Sequence, residues 1–254
     1  MLQRYLLKIA YDGTAYHGWQ VQKNATSVQA VLQEAFLKFL SIKPNLTGCS
    51  RTDAGVHARE FYCHFDLESQ IPADAIVRGL NSVLPNDIRA LECEIVDLDF
   101  HSRYSAKAKE YIYNIDNSQI CSPFDFRYVY HYPGEINIDN MRKFCEKIVG
   151  EHDFVGFSSA KRSTEDTVRT IYSCQVIQEG ELIKIKILGN GFLYNMVRII
   201  AGTALGFATG RFSLETIDEI INSKDRSFAG NTLAAKGLVL NKVYYTGDFE
   251  NAQL

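Results

Sequence analysis

Alternation of apolar and polar residues at a period of two recurs along this chain, and it constrains the fold more than any other feature. Between residues 59 and 67, Phe61, Cys63, Phe65 and Leu67 alternate with Glu60, Tyr62, His64 and Asp66. Between residues 182 and 188, Ile183, Ile185 and Ile187 alternate with Lys184 and Lys186. A strand patterned in this way buries one face and wets the other, as in antiparallel sheets covered on one side. By this pattern His64 falls on the polar face and is expected to be a solvated strand residue rather than a catalyst. Residues 5–11, 88–98, 107–115, 168–178 and 237–245 also have strand character, and Glu179-Gly180 turns the fourth of these five into the 182–188 strand.

Helical spacing intervenes at fewer places. Thr26-Ser27-Val28-Gln29 fits a capping box with Thr26 as N-cap, and Val28, Val31, Leu32, Ala35, Phe36, Phe39 and Leu40 then predict a helix to about Ser41. Pro72 stands where a first helical residue would, ahead of Ile76, Leu80, Val83 and Leu84. Asn137 caps a face of Ile138, Met141, Phe144, Cys145, Ile148 and Val149. An apolar helix is expected from about Leu193 to Ala208, and a shorter one capped at Ser213. Runs of strands broken by so few helices predict an α+β fold. We expect two similar halves, residues 1–115 and 116–254, each a mostly antiparallel sheet with helices on one face, joined around a central cleft. At 254 residues the chain is long enough for two cores.

The net charge of −3 does not announce a nucleic-acid binder, so such a function needs a local concentration of basic residues. The six cysteines are scattered, with no spacing of the zinc type. Met1 to Lys8 lacks the apolar core of a signal peptide, and the one long apolar stretch, 192–208, contains Asn195 and Arg198. A reduced cytoplasmic protein with no membrane span is expected.

Candidate chemistry concentrates in residues 46–59, where Gly48, Gly55 and a lone carboxylate, Asp53, lie between Arg51 and Arg59. Thr52-Asp53-Ala54-Gly55 reads as a tight turn that fixes the angle of Asp53. Its carboxylate either bonds its own backbone or faces a ligand, and the flanking arginines favour a polyanion. Residues 12–20, with two glycines and the only tryptophan, form either a hairpin turn with a packed Trp19 or a loop that meets a ligand. Further on, Arg103, Lys107 and Lys109 interleave with Tyr104, Tyr111 and Tyr113. That pattern suits phosphates held while bases stack on rings, and equally suits cross-strand tyrosine pairs. Lys161-Arg162 sits in a polar loop at residues 158–164.

Gly48-Cys49-Ser50-Arg51-Thr52-Asp53-Ala54-Gly55-Val56-His57-Ala58 resembles the catalytic motif of the tRNA pseudouridine synthase A family. Three more segments agree in order: residues 11–20, Lys109-Glu110-Tyr111-Ile112-Tyr113, and Gly191-Phe192-Leu193-Tyr194-Asn195-Met196-Val197-Arg198. Cys49-Ser50 departs from the small residue and glycine that many members carry, but both are small. The resemblance implies a homodimeric enzyme that converts uridine to pseudouridine at positions 38, 39 and 40 in the anticodon arm of tRNA, with no cofactor or metal. It makes Asp53 the essential carboxylate, Tyr111 the ring against the target uracil and Arg198 the cation paired with Asp53. Arg51 would help open the stem; the basic and aromatic interleaving adds Arg103 and Lys109 as expected substrate contacts.

Arg198 fits this on physical grounds, being the only charged residue between 192 and 208. A buried guanidinium without an anion costs several kcal/mol, and its fork suits a carboxylate. Two rival readings compete. In a non-catalytic RNA-binding module Asp53 would be a turn residue. A glycosidase would need a second carboxylate, for which Glu60 is the nearest downstream.

Overall fold

A computed structural model describes residues 1–159 and 165–249. The chain divides into two compact units, Met1–Lys107 with Leu240–Gly247, and Ala108–Val239 with the short stretch after Gly247. Each is α+β.

In the first unit β1 (Gln3–Tyr11) pairs antiparallel with β3 (His57–Leu67) on one side and β4 (Ile88–Val96) on the other. The two-residue β2 (Thr47–Gly48) pairs with β3, and the last strand, β10 (Leu238–Tyr244), lies beside β3. Register sets Tyr5 opposite Phe65, Leu7 opposite Cys63 and Ile9 opposite Phe61, so six apolar side chains stand on one face. All six are at most 1 % exposed, and burying a large one contributes about 1.5–3 kcal/mol. Helix α1 (Val28–Leu40) closes this face through Phe36, whose ring meets Phe65 edge-on at 4.7 Å. Helix α2 (Ala73–Val83) contributes Ile76 and Leu80, and Gly79 lets the ring of Phe39 on α1 approach closely.

Two local expectations need correction. The N-cap of α1 is Ser27 rather than Thr26, because the Ser27 hydroxyl accepts from the Ala30 N–H. His64 is not solvated. It is 6 % exposed, because the segment after β4 folds over the polar face of β3 and places Ser102 against it.

In the second unit β5 (Ala108–Asp116), β9 (Leu182–Gly189), β8 (Val168–Glu179) and β7 (Gly150–Asp153) follow one another, each pair antiparallel. The short β6 (Tyr130–His131) runs parallel to β5, which makes the sheet mixed. Helix α3 (Ile138–Lys147) is capped by Asn137, as its sequence predicts. Helix α4 (Met196–Ala208) is buried at every residue except Arg198, and its Phe207 stacks on Phe144 of α3 at 5.1 Å. The expected start at Leu193 moves to Met196, because Asn195 takes a left-handed conformation (φ 63°) that ends the preceding loop. The short helix α5 is Ile217–Asn222. Among the described residues no helix is long and apolar enough to cross a membrane.

Candidate active site

Asp53 sits in the loop between β2 and β3, and its backbone is fixed from both sides. The Val56 N–H donates to the Asp53 carbonyl at 3.1 Å, and Gly55 has φ 79°. That is the pattern of a type II turn over residues 53–56, one residue later than the sequence suggests, with glycine where a positive φ is required. Before the turn, Thr52 is buried and its hydroxyl bonds that of Tyr11 at 2.8 Å.

The loop at residues 12–20 forms the other wall. It is not a hairpin, since it joins β1 to α1. The Trp19 N–H donates to the Thr52 carbonyl, the Gly55 N–H to the Tyr16 carbonyl at 3.1 Å, and the Gly13 N–H to His57 Nδ1 at 3.0 Å. Two glycines make this approach possible. A Cβ on Gly13 would lie 2.0 Å from the Val56 carbonyl oxygen, and one on Gly18, which also has φ 81°, 2.2 Å from that of Thr52. The loop is anchored in turn by Tyr16, whose hydroxyl donates to Asp87 at 2.7 Å. Trp19 is the packed tryptophan of the first alternative, 1 % exposed, with its ring 4.3 Å from that of Phe61. We expect Gly18→Ala to cost about 2–4 kcal/mol in urea unfolding, from overpacking together with a left-handed alanine. A loss below 1 kcal/mol would mean that the two loops can part freely.

Around this frame the structure brings Arg51 and Arg103 into the lining of one pocket. Arg103 belongs to the loop that covers His64. The Ser102 N–H donates to His64 Nδ1 at 3.1 Å, the Ser102 hydroxyl lies 3.0 Å from the same nitrogen, and that hydroxyl donates to the Thr47 carbonyl. His64 therefore works as a neutral acceptor. Burial, aided by the charge of Arg4 and by His101, lowers its pKa to about 4. Because the unfolded chain then binds more protons between pH 4 and 6.5, stability should rise with pH across that window and be lost as pH falls through it. His64→Gln should flatten this part of the Tm–pH curve; an unchanged curve would assign the slope to other groups.

In the second unit Tyr111 and Lys109 lie on β5, opposite Ile187 and Gly189 of β9. Both are at least nine-tenths buried, and the Tyr111 ring meets Phe192 edge-on at 5.1 Å. Arg198 lies in the first turn of α4, half-buried. Its Nη1 donates to Asn195 Oδ1 at 2.8 Å and its Nε to the Leu233 carbonyl at 2.7 Å. The segment bearing Leu233 is itself seated on α4, where the Gly230 N–H donates to the Thr203 hydroxyl at 2.9 Å. Leu233 and Asn195 thus supply two neutral acceptors that help to orient the guanidinium, beside a helix N-terminus whose dipole favours anions.

Glu60, the second acid that a glycosidase would need, is paired with Lys8 at 3.2 Å. Lys161 and Arg162 lie outside the described residues. Among the described residues no three His, Cys, Asp or Glu side chains cluster as a metal site would require. The reading of single segments missed the supports of Asp53, namely Tyr11, Tyr16 and Asp87, and that of Arg103, His64. The one signal for them was the glycine pair at 13 and 18, which marks a close approach without naming its partner.

Comparison with known proteins agrees over nearly the whole chain. The family model described as tRNA pseudouridine synthase matches residues 8–105 and 144–246, which includes both the Asp53 loop and Arg198. A tRNA pseudouridine synthase A from Caldicellulosiruptor saccharolyticus is 47% identical over 244 residues, 96% of this chain and 100% of that protein. Proteins of the same name from Clostridium kluyveri and Ruminiclostridium cellulolyticum are each 45% identical, over 94% and 96% of this chain and 98% and 100% of their own lengths. With a family model matching well over half of its length and relatives this similar along all of theirs, the chain belongs to the tRNA pseudouridine synthase family.

Proposed function

We propose that the protein isomerises uridine to pseudouridine at positions 38, 39 and 40 in the anticodon arm of tRNA, with Asp53 as the essential carboxylate. The observation that carries this is the way Asp53 is held. It is half-exposed, in a turn whose backbone is bonded from Tyr16, Trp19 and within itself, through contacts that only glycine permits at positions 13 and 18. Such a frame suits a group that must meet a reacting atom at a fixed angle.

The reaction breaks the N1–C1′ bond, turns the uracil and forms C5–C1′, after which the hydrogen at C5 leaves as a proton and N1 takes one up. Atoms and electrons balance without a cofactor. A base in a stem must first leave its stack, which costs a few kcal/mol, so basic residues and a ring platform are needed. In this reading Tyr111 packs on the extruded uracil, Arg198 keeps Asp53 ionised, Arg51 helps to open the stem, and Arg103 and Lys109 contact the RNA. Asp53 acts either as nucleophile at the sugar or as the base that removes a sugar proton. The active unit is a cytoplasmic homodimer, since 27 Lys and Arg against 30 acids leave one subunit little basic surface for a tRNA arm.

Unmodified tRNA transcripts carrying tritium at uridine C5 test the chemistry. The protein should release tritium to water, one for each uridine converted. Binding of the transcript without release would overturn the reading in favour of a non-catalytic RNA-binding module.

A further inference from the structure

A pocket of about 260 Å³ in the first unit is lined by Arg51, Arg103, His101, Tyr104, Ser50 and Trp19 among others, and by no Asp or Glu. Arg51 and Arg103 are both exposed, and neither forms an ion pair among the described residues. Two guanidiniums in the lining without an acid make the recess electropositive, and their planar forks match phosphate oxygens.

The pocket also offers a ring. Tyr104 is 76 % exposed, backed by His101 at 4.3 Å, with the Arg103 guanidinium 5.9 Å from its centroid. An exposed aromatic supported from behind and flanked by arginine is what an unpaired base stacks on. Asn45, also in the lining, is exposed, and its amide can both donate to and accept from a base edge. The volume lies at the small end of ligand pockets, which suits one nucleotide.

The loop is already ordered. Besides the Ser102 contacts with His64, the Ser105 N–H donates to the His101 carbonyl at 2.8 Å, and the His101 N–H to the Ser105 hydroxyl at 3.0 Å. The Arg103 and Tyr104 N–H groups both point at His101 Nδ1, at 3.1 and 3.3 Å. Both side chains therefore project from a fixed backbone, and little ordering is left to be done on binding.

We propose that this recess is a nucleotide subsite for the RNA substrate, in which Arg103 and Arg51 hold one phosphate and the adjoining base stacks on Tyr104. The proposal rests on the reading that the protein acts on tRNA, and it deepens the RNA contacts given above to Arg51 and Arg103 by assigning them one nucleotide and adding Tyr104 as the ring on which its base stacks.

The test compares the parent with Arg103→Gln and Tyr104→Ala on an unmodified tRNA transcript, in steady-state kinetics and in binding at several KCl concentrations. Arg103→Gln should raise KM several-fold, far more than it changes kcat, and lower the slope of log Kd against log salt by about one, as loss of one phosphate contact does. Tyr104→Ala should weaken binding by roughly tenfold with the slope kept. Both side chains are exposed, so Tm should stay at the parent value and the variants remain interpretable. Trp19, the only tryptophan of the chain, lines the recess, so its fluorescence reports occupancy. Titrated UMP, AMP or inorganic phosphate should bind weakly and be displaced by tRNA. A parent-like KM and salt slope in both variants would overturn the subsite. So would a free nucleotide bound at micromolar concentration that tRNA does not displace. If the parent itself releases no tritium, the functional reading fails; if the parent is active and the variants match it, the subsite alone fails.

Discussion

Asp53→Asn is expected to lower turnover by a factor on the order of 10⁴ or more, with tRNA affinity and Tm close to those of the parent. Asparagine is nearly the same size and tolerates the same turn, and the contacts that hold this loop run through the backbone of Thr52, Asp53 and Gly55. Only the charge and the basicity of the side chain are removed. The measurement is single-turnover tritium release with the variant in excess over tRNA, alongside filter binding of the same transcript. Turnover within about tenfold of the parent would show that the carboxylate is not the reacting group.

The second large effect is expected at Arg198. In the proposed pairing, this guanidinium favours the charged form of Asp53, so replacing it with methionine should raise the carboxyl pKa. The acid limb of the pH–rate profile should then move up by about one unit or more, and turnover at neutral pH should fall on the order of 10²–10³-fold. Lysine restores a positive charge but not a fork that can serve Asn195 and Leu233 together, so Arg198→Lys should be affected less than Arg198→Met and more than the parent. A purely structural role would look different, with Tm lowered and the acid limb left in place.

The alternation of Phe61, Cys63 and Phe65 and that of Ile183, Ile185 and Ile187 place their strands correctly because both report burial against one covered face. Helices α1, α3 and α4 follow from helical spacing in the same way, with ends adjusted by single residues such as Ser27 and Asn195. His64 escapes the rule, because a period of two says which way a side chain points and not what lies on that side. There the chain returns at Ser102, 38 residues later, and turns a polar face into an interior.

The candidate site was legible to a similar depth. Gly55 beside Asp53 announces a turn, because a positive φ favours glycine and the requirement is local. That Gly13 and Gly18 exist to admit the backbone of residues 52–56 cannot be read locally, since the partners are 34 to 43 positions away and nothing in either segment names the other. The same holds for Arg51 and Arg103, which share one pocket only because the loop carrying Arg103 is bonded to Thr47 and His64. Arg198 stood out in the sequence as a lone charge in an apolar run, whereas its neutral acceptors, Asn195 and Leu233, needed the fold of the loop that follows α4.

The most direct test of the account is a map of pseudouridine on an unmodified tRNA transcript after incubation with the parent protein and, separately, with Asp53→Asn. Chemical modification followed by primer extension gives the positions. The account predicts new stops reporting pseudouridine at uridines 38, 39 or 40 with the parent and none with the variant. Stops elsewhere in the tRNA, or the same stops with Asp53→Asn, would contradict it.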